Sequence, residues 1–489
     1  MRSFITWRPA LLLVAAGALS LTACKKSTDV VTPAGSGTTT GTVTNSTVDN
    51  WILSNMRTWY YWTDKIPANP DTTQAPDAFF NSILYKYDRT LRPDGDRFSW
   101  IDPDASHLQA SLGGQNLSTG AEFRLYRRSS GTNDVIGVVL YTEHGSPAEK
   151  AGLKRGDIFY SINGQNLTTT NYSDLLYGSA TSLTYGLAQL QNGALVNTSQ
   201  TKTASAVTLQ TDPVYLDSVY TVNGKKIGYL VFNEFIAGVY QGNGNTDNTY
   251  LQELDNTFGK FKAQGVNELV LDLRYNPGGS GTVAQNLASL IAPGASPSKI
   301  FFTQQYNKLL TSYLQQQNGA NSNTVNFLSK ANNLGNLSRI FVLTSDHTAS
   351  ASELVINGLK PYMNVTVVGD TTYGKNVGST TLTDSTGRIK WGIQPIIVKA
   401  FNAAGQSDYS GGFVPDAVVL ERLPYKPLGD LTEPLLSQAV YQITGNRFAR
   451  VGAQTGPTLS EVASSVSRRA GGSNLIVNLP RAAGRTLPK

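Results

Sequence analysis

The sequence predicts a multidomain α/β (α+β) protein with three folded parts in series. Three observations carry this expectation. Apolar residues recur every three to four positions from Val48 to Leu84, short β-like runs crowd residues 111 to 212, and strand-length apolar runs alternate with helical stretches from Asp212 onward. With 489 residues and 40% hydrophobic content, the chain has material for two or three cores, since one core rarely grows past about 250 residues.

The first segment is not part of that fold. Arg2 and Arg8 precede the apolar run Ala10 to Leu21, and Leu21-Thr22-Ala23-Cys24 follows it. This is the pattern of an export signal over residues 1–23 that ends in a lipobox, with Cys24, the single cysteine, as the lipid-modified first residue of the mature chain. The apolar run is about twelve residues, too short to span a bilayer. A membrane-anchored cell-envelope lipoprotein of a Gram-negative-type bacterium is therefore expected, facing the periplasm or held on the outer membrane. Residues 24–45, rich in Thr, Gly and Ser, form a flexible tether.

The net charge of +6 raises a nucleic-acid partner, which its location excludes. Arg2 and Arg8 lie in the signal, and residues 450 to 489 carry six basic residues against Glu461 alone, so the body between is close to neutral. Residues 447–489 are expected to be a basic, low-complexity, poorly ordered tail.

Within the folded body, Trp51-Ile52, Met56, Trp59-Tyr60, Phe79-Phe80 and Ile83-Leu84 give two amphipathic helices joined by a Pro67 to Pro76 loop, in a helical domain over 46–110. From 111 to 212, runs such as Ile136 to Tyr141 lead into a short helix opened by Pro147, turns at Gly152 and Gly156-Asp157, and an Asn163-Gly164 turn. From 213 to 446 the order is strand (Ile227 to Phe232), helix (Thr249 to Lys262), strand (Glu268 to Arg274), the turn Asn276-Pro277-Gly278-Gly279, and helix (Thr282 to Leu290). The strand Ile340 to Leu343, the helix Ala351 to Leu359 and the strand Val365 to Val368 follow. This gives βαβ units and a largely parallel sheet. The Gln/Asn-rich stretch 304–336 reads as an insertion forming a surface element near the site.

Candidate chemistry centres on Thr348-Ala349-Ser350-Ala351-Ser352-Glu353. Ser350 sits where a strand meets a helix, at the carboxyl edge of the sheet. The 25 residues to Lys375 comprise about ten helical positions at ~1.5 Å and about five strand positions at ~3.3 Å, so the chain returns to the helix start. There a desolvated lysine amine could act as a base for the serine. His347 belongs to the turn, and neither it nor His107 or His144 is favoured as that base. Ser350 and Glu353 also make a capping box, which explains both without catalysis. Three scattered histidines and one cysteine suggest no metal site, and no cofactor is expected.

Two resemblances extend this reading. The segment Gly145 to Gly164 resembles a PDZ domain, a module that takes an extended peptide as an added strand. In that resemblance Ser118-Thr119-Gly120-Ala121 stands at the carboxylate-binding loop, with Gly120 and Ala121 as peptide-binding positions and only the second glycine of the usual pair present. Residues 46 to 445 resemble the C-terminal processing peptidases, the tail-specific group related to the tricorn core. The carriers are Asp272-Leu273-Arg274-Tyr275-Asn276-Pro277-Gly278-Gly279, Ala349-Ser350-Ala351-Ser352-Glu353, Tyr373-Gly374-Lys375 and Gly412-Phe413-Val414-Pro415-Asp416, in that order.

The second resemblance implies an α/β core of the ClpP/crotonase type and a serine endopeptidase, with Ser350 as nucleophile and Lys375 as general base. It further implies oxyanion donors at Ala351 and at Gly278 or Gly279, and a supporting Glu353. Members often carry Gln four residues after the lysine, where this chain has Ser379. Implied partners are polypeptides with extended or unstructured segments, the membrane through the N-terminal lipid, and further copies of the chain in a homo-oligomer. The alternative is a non-catalytic peptide-binding lipoprotein on the same fold. A penicillin-recognising enzyme built on Ser296-Pro297-Ser298-Lys299 is set aside, because Pro297 would interrupt the helix it needs.

Overall fold

Six strands in the order 214–222, 225–232, 268–272, 339–344, 364–369 and 417–418 make the central sheet. The first pair is antiparallel and the rest are parallel, with Asp272 opposite Leu343 and Leu343 opposite Val368. The inner strands are apolar throughout because helices cover both faces. The helices Thr249–Ala263, Gly281–Ile291 and Ala351–Leu359 contribute Phe258, Leu287 and Leu354 to one side, and Pro434–Thr444 places Leu436 and Val440 on the other. Each crossover delivers its loop to the same carboxyl edge, where the Asn276 turn and the Ser350 turn lie side by side.

The computed structural model describes residues 42–448, 459–469 and 475–479, and the elements below lie in the compact unit Val43–Lys489. Residues 1–23, Cys24 and nearly all of the tether lie outside the described residues. The helices Asn45–Trp59 and Pro76–Ser82 do not build a core of their own. Ile52, Met56, Phe79 and Phe80, all fully buried, share one apolar cluster with Leu271 and Leu354.

The β-rich middle is a sheet of its own, with strands 121–127, 135–142, 158–162, 182–191 and 194–205 in that spatial order and a short helix at Tyr172–Tyr177. Asn163 and Gly164 have φ of 50° and 78°, the left-handed pair a two-residue hairpin turn requires. Arg155 ties this domain to the core: its guanidinium meets Glu421 at 2.7 Å, and Glu421 also meets Arg274 at 3.1 Å.

Two expectations are corrected. The stretch 304–336 lies at the surface but is more than a polar loop. It supplies the strand Thr324–Asn326 and the helix Lys308–Asn318, continues a strand begun at Ile300, and sinks Tyr306, Leu310, Leu314 and Phe327 into the main core. Its Gln and Asn residues are interleaved with apolar ones at helical and strand spacing, so overall polarity misreports burial. The tail from 447 to 489 is not poorly ordered over its described parts. Glu461–Ser464 adds a strand to the middle domain, and Leu475–Ile476 adds one between Gly279–Ser280 and Val377–Ser379.

Candidate active site

The Ser350 turn is held from beneath by the Asp272 to Asn276 segment. Thr348 Oγ1 donates to Leu273 O at 2.8 Å, Ala349 N to Asn276 O at 3.2 Å, and Ser352 Oγ to Asn276 O at 3.1 Å. Ser345 Oγ donates to Arg274 O. Pinned on both flanks, Ser350 takes φ 60° and ψ −106°, a region that costs a non-glycine residue on the order of 1–3 kcal/mol. Its side chain is fully buried, and its Oγ has no hydrogen-bond partner among the described residues. The sequence satisfies the loose geometry of a capping box, yet at hydrogen-bond distance only the glutamate arm is made, from Ser350 N to Glu353 Oε2 at 2.8 Å. Capping therefore leaves the hydroxyl unexplained.

Glu353 joins the two candidate residues. Oε2 accepts from Ser350 N and from Lys375 N, each at 2.8 Å, and Oε1 accepts from Gly374 N at 2.7 Å and Thr372 Oγ1 at 2.6 Å. Burial pushes this carboxyl up, and the four donors pull it back. The Lys375 side chain is 1% exposed, and its ammonium sits 4.7 Å from the centre of the Phe98 ring. Burial lowers its pKa to about 7, against the opposing pull of Asp96 and Glu353. Arg97 braces the loop by donating to Gly374 O at 2.8 Å and Ser410 O at 3.1 Å. Asp96, Arg97, Phe98 and Thr372 were not visible as site residues in the sequence; Arg97 lies 277 positions from its partner, and no local pattern marks such a contact.

The oxyanion candidates separate. Ala351 N, at the first helical position, has no acceptor among the described residues and adjoins Ser350. Gly278 N donates to Asn276 Oδ1 at 2.9 Å in this arrangement. Gly279, at φ 131°, pairs with Leu475 of the tail, and a Cβ there would meet Phe235 O at 2.5 Å. Ser379 Oγ accepts from Gln394 Nε2 at 3.3 Å and reaches Leu475 O at 3.5 Å, contacts directed toward the strand Gly392–Gln394 and the tail. In the middle domain, Gly120 N donates to Ser118 Oγ at 2.9 Å and Ala121 N to Thr119 Oγ1 at 3.4 Å. That loop satisfies its own amides.

Asp346, His347 and Glu461 bring ligand atoms within 4.8 Å of one another, a grouping that sequence distance conceals. The Arg124 guanidinium, 2.6 Å from Asp346 and 3.6 Å from Glu461, already supplies the cation between these carboxylates. The cluster is an ion-pair junction between the middle domain, the tail and the turn before Ser350.

Comparison with known proteins identifies the family. The profile of the Peptidase family S41 matches residues 226–419, the Peptidase S41 N-terminal domain matches 47–100, and a PDZ domain matches 138–185. The crystal structure of a Bacteroides fragilis protein assigned to the S41 proteases is 31% identical, over 81% of this chain and 97% of that one, with a TM-score of 0.65. The chain belongs to peptidase family S41. Carboxyl-terminal-processing proteases of Synechocystis and Picosynechococcus are 24% and 27% identical to this S41 chain. Those matches cover 78% and 70% of it, and 79% and 70% of the relatives. The α/β multidomain architecture with a PDZ domain and a serine-type peptidase core is thus that of the family.

Proposed function

We propose that this S41 peptidase is a membrane-anchored serine endopeptidase that cuts polypeptides through an acyl-enzyme, with Ser350 as nucleophile and Lys375 as general base. The observation that carries the reading is the buried Lys375 side chain, its amine lowered to about 7, on a residue whose backbone amide shares one oxygen of Glu353 with the amide of Ser350. A lysine of ordinary pKa would be protonated at neutral pH and unable to take a proton.

The neutral amine takes the Ser350 hydroxyl proton as Oγ attacks the substrate carbonyl carbon. The amide of Ala351 is suited to receive the developing oxyanion, with a positively charged helix start behind it, and the Gly278-Gly279 turn offers the second donor once the tail strand at Leu475 withdraws from Gly279. Collapse expels the amine of the cleaved bond, which carries away the proton held by Lys375. Water then attacks the ester with Lys375 again as base, and Ser350 is released. Ser350 and Lys375 are both buried, so the segments that cover them must shift for an extended substrate to enter. An adaptor would gain nothing from a desolvated lysine, which costs folding stability.

A serine-reactive fluorophosphonate probe should label the wild type and not Ser350→Ala, and both Ser350→Ala and Lys375→Ala should lose casein cleavage. Full cleavage by either variant defeats the Ser-Lys assignment. Anchoring rests on the lipobox at Cys24: Cys24→Ala should move the protein from the membrane fraction to the soluble one, and unchanged fractionation refutes it. No helix among the described residues is long and apolar enough to cross a membrane.

A further inference from the structure

The strand Ala121–Arg127 follows the Ser118 to Gly120 loop, and its outer edge is where a PDZ domain accepts a peptide strand. That edge is filled. Glu461–Ser464 lies antiparallel to it, with Glu461 opposite Tyr126 and Ser464 opposite Arg124, so the tail advances toward the loop as a bound peptide does. Arg127 N donates to Ser460 O at 2.9 Å, and Phe123 N to Ser465 Oγ at 2.8 Å. Val462 and Ala463 pack onto the domain core beside Leu175, and Val466 is fully buried with Leu140, Tyr141 and Tyr275.

Beyond the strand the chemistry departs from carboxylate capture. The loop amides are spent on Ser118 and Thr119, and three carboxylates gather at this end. Arg469 enters them, meeting Glu122 at 2.8 Å, Glu234 at 3.0 Å and Glu143 at 3.4 Å, and it donates to Tyr141 Oη at 2.7 Å. Burial pushes Glu143 up to about 8 even with Arg469 present. A peptide ending in a carboxylate would be repelled here, whereas a guanidinium relieves the crowding. Arg468 lies 4.0 Å over the Tyr177 ring and donates to Ser173 Oγ at 3.3 Å, which engages the groove's helix.

The same segment touches the catalytic edge. His347, three residues before Ser350, faces Glu461 at 3.4 Å and Ser467 Oγ at 3.2 Å. Further along, Leu475 pairs with Gly279, Ile476 with Ser379, and Val477 N donates to Ser379 O at 2.9 Å.

We infer that residues 461–469 are an intramolecular ligand of the PDZ groove, which selects internal polypeptide segments carrying an arginine for the Glu122, Glu143 and Glu234 pocket, and that protein substrates compete with this tail. The inference deepens the endopeptidase reading, on which only its rate consequence rests. A tethered ligand competes at an effective concentration on the order of mM, so the intact chain should resist added peptide.

The test uses full-length protein and a fluorescent peptide of residues 459–469, read by anisotropy. Arg469→Glu expels its own tail by charge reversal while leaving the pocket intact, and should bind the peptide at least about tenfold more tightly than the wild type or Arg469→Lys. Its casein cleavage should rise severalfold. Equal binding by all three proteins overturns the inference, as does equal binding of a peptide carrying Glu in place of Arg469. Should Arg469→Glu fail to fold, a site-specific protease sequence placed between residues 448 and 459 replaces it. After cutting, excess labelled peptide should exchange into the groove, and no incorporation overturns the inference. Binding needs no Ser350, so the double variant with Ser350→Ala separates a failed catalytic assignment from a failed tail assignment.

Discussion

Ser350 and Lys375 donate their backbone amides to the same oxygen of Glu353, each at 2.8 Å, so the two nitrogens lie within twice that distance of each other. The backbones that carry the candidate nucleophile and base are thereby held together on one carboxylate oxygen. Glu353 positions the pair, and its charge also opposes the fall of the Lys375 pKa.

Glu353→Gln tests that role. The amide keeps one acceptor oxygen, and an NH2 group in place of Oε2 would face the N–H groups of Ser350 and Lys375 and leave both unpaired in a buried site. Stability should fall by about 1–3 kcal/mol in urea unfolding. With Ser350 and Lys375 no longer held together, kcat on casein should fall by about tenfold or more while KM changes little. A variant with wild-type kcat would reduce Glu353 to a helix cap.

The strain at Ser350 makes a second prediction with two signs. Ser350→Gly relieves the φ 60° conformation, worth on the order of 1–3 kcal/mol, and gives back part of it as unfolded-chain entropy. Ser350→Ala keeps the Cβ and relieves nothing. Both variants should be inactive, and the glycine variant should be the more stable by about 1 kcal/mol. If glycine is instead the less stable of the two, the strained turn is not costing the fold energy.

Arg274 underlies the Asn276 turn. Fully buried, it meets Asp272 at 2.8 Å, Glu433 at 2.7 Å and Glu421 at 3.1 Å. Arg274→Met would leave buried Asp272 and Glu433 without their cation, while Glu421 keeps Arg155, and breaking such a network costs about 3–5 kcal/mol. Chemical denaturation should show a loss of that size. A loss under about 1 kcal/mol would mean that water or protonation compensates.

Much of this architecture is written locally. Strand and helix periods place Ser350 at a junction, and one helix plus one strand return Lys375 to it. What is not local is less legible. Phe98 and Asp96 reach Lys375 from the N-terminal segment, and no spacing rule links them. Asn276 Oδ1 takes the Gly278 amide, a detail that the motif Asn-Pro-Gly-Gly cannot rank against Gly279. The tail is the sharpest case. A strand added to a sheet edge is held by backbone bonds, which composition does not report, so a Ser- and Arg-rich segment reads as disordered. Its visible signal is the apolar triplet Leu475-Ile476-Val477, of which Leu475 is fully buried.

The final prediction concerns pH. Lys375 falls from 10.5 to about 7 on folding because burial disfavours its charge. Between those values the unfolded chain binds a proton that the folded chain does not, so this site makes stability rise with pH across the window and contributes no slope below it. Lys375→Met carries no such group. The wild type should therefore be the less stable of the two near pH 7 and gain on the variant as the pH is raised toward 10.5, as paired unfolding curves would show. Activity follows the neutral amine: kcat/KM should climb about tenfold from pH 6 to pH 8 and then level off. Lys375→Arg, charged throughout, should stay inactive at every pH. A wild-type profile that still rises steeply above pH 9 would mean that the amine keeps an ordinary lysine pKa and that burial does not activate it.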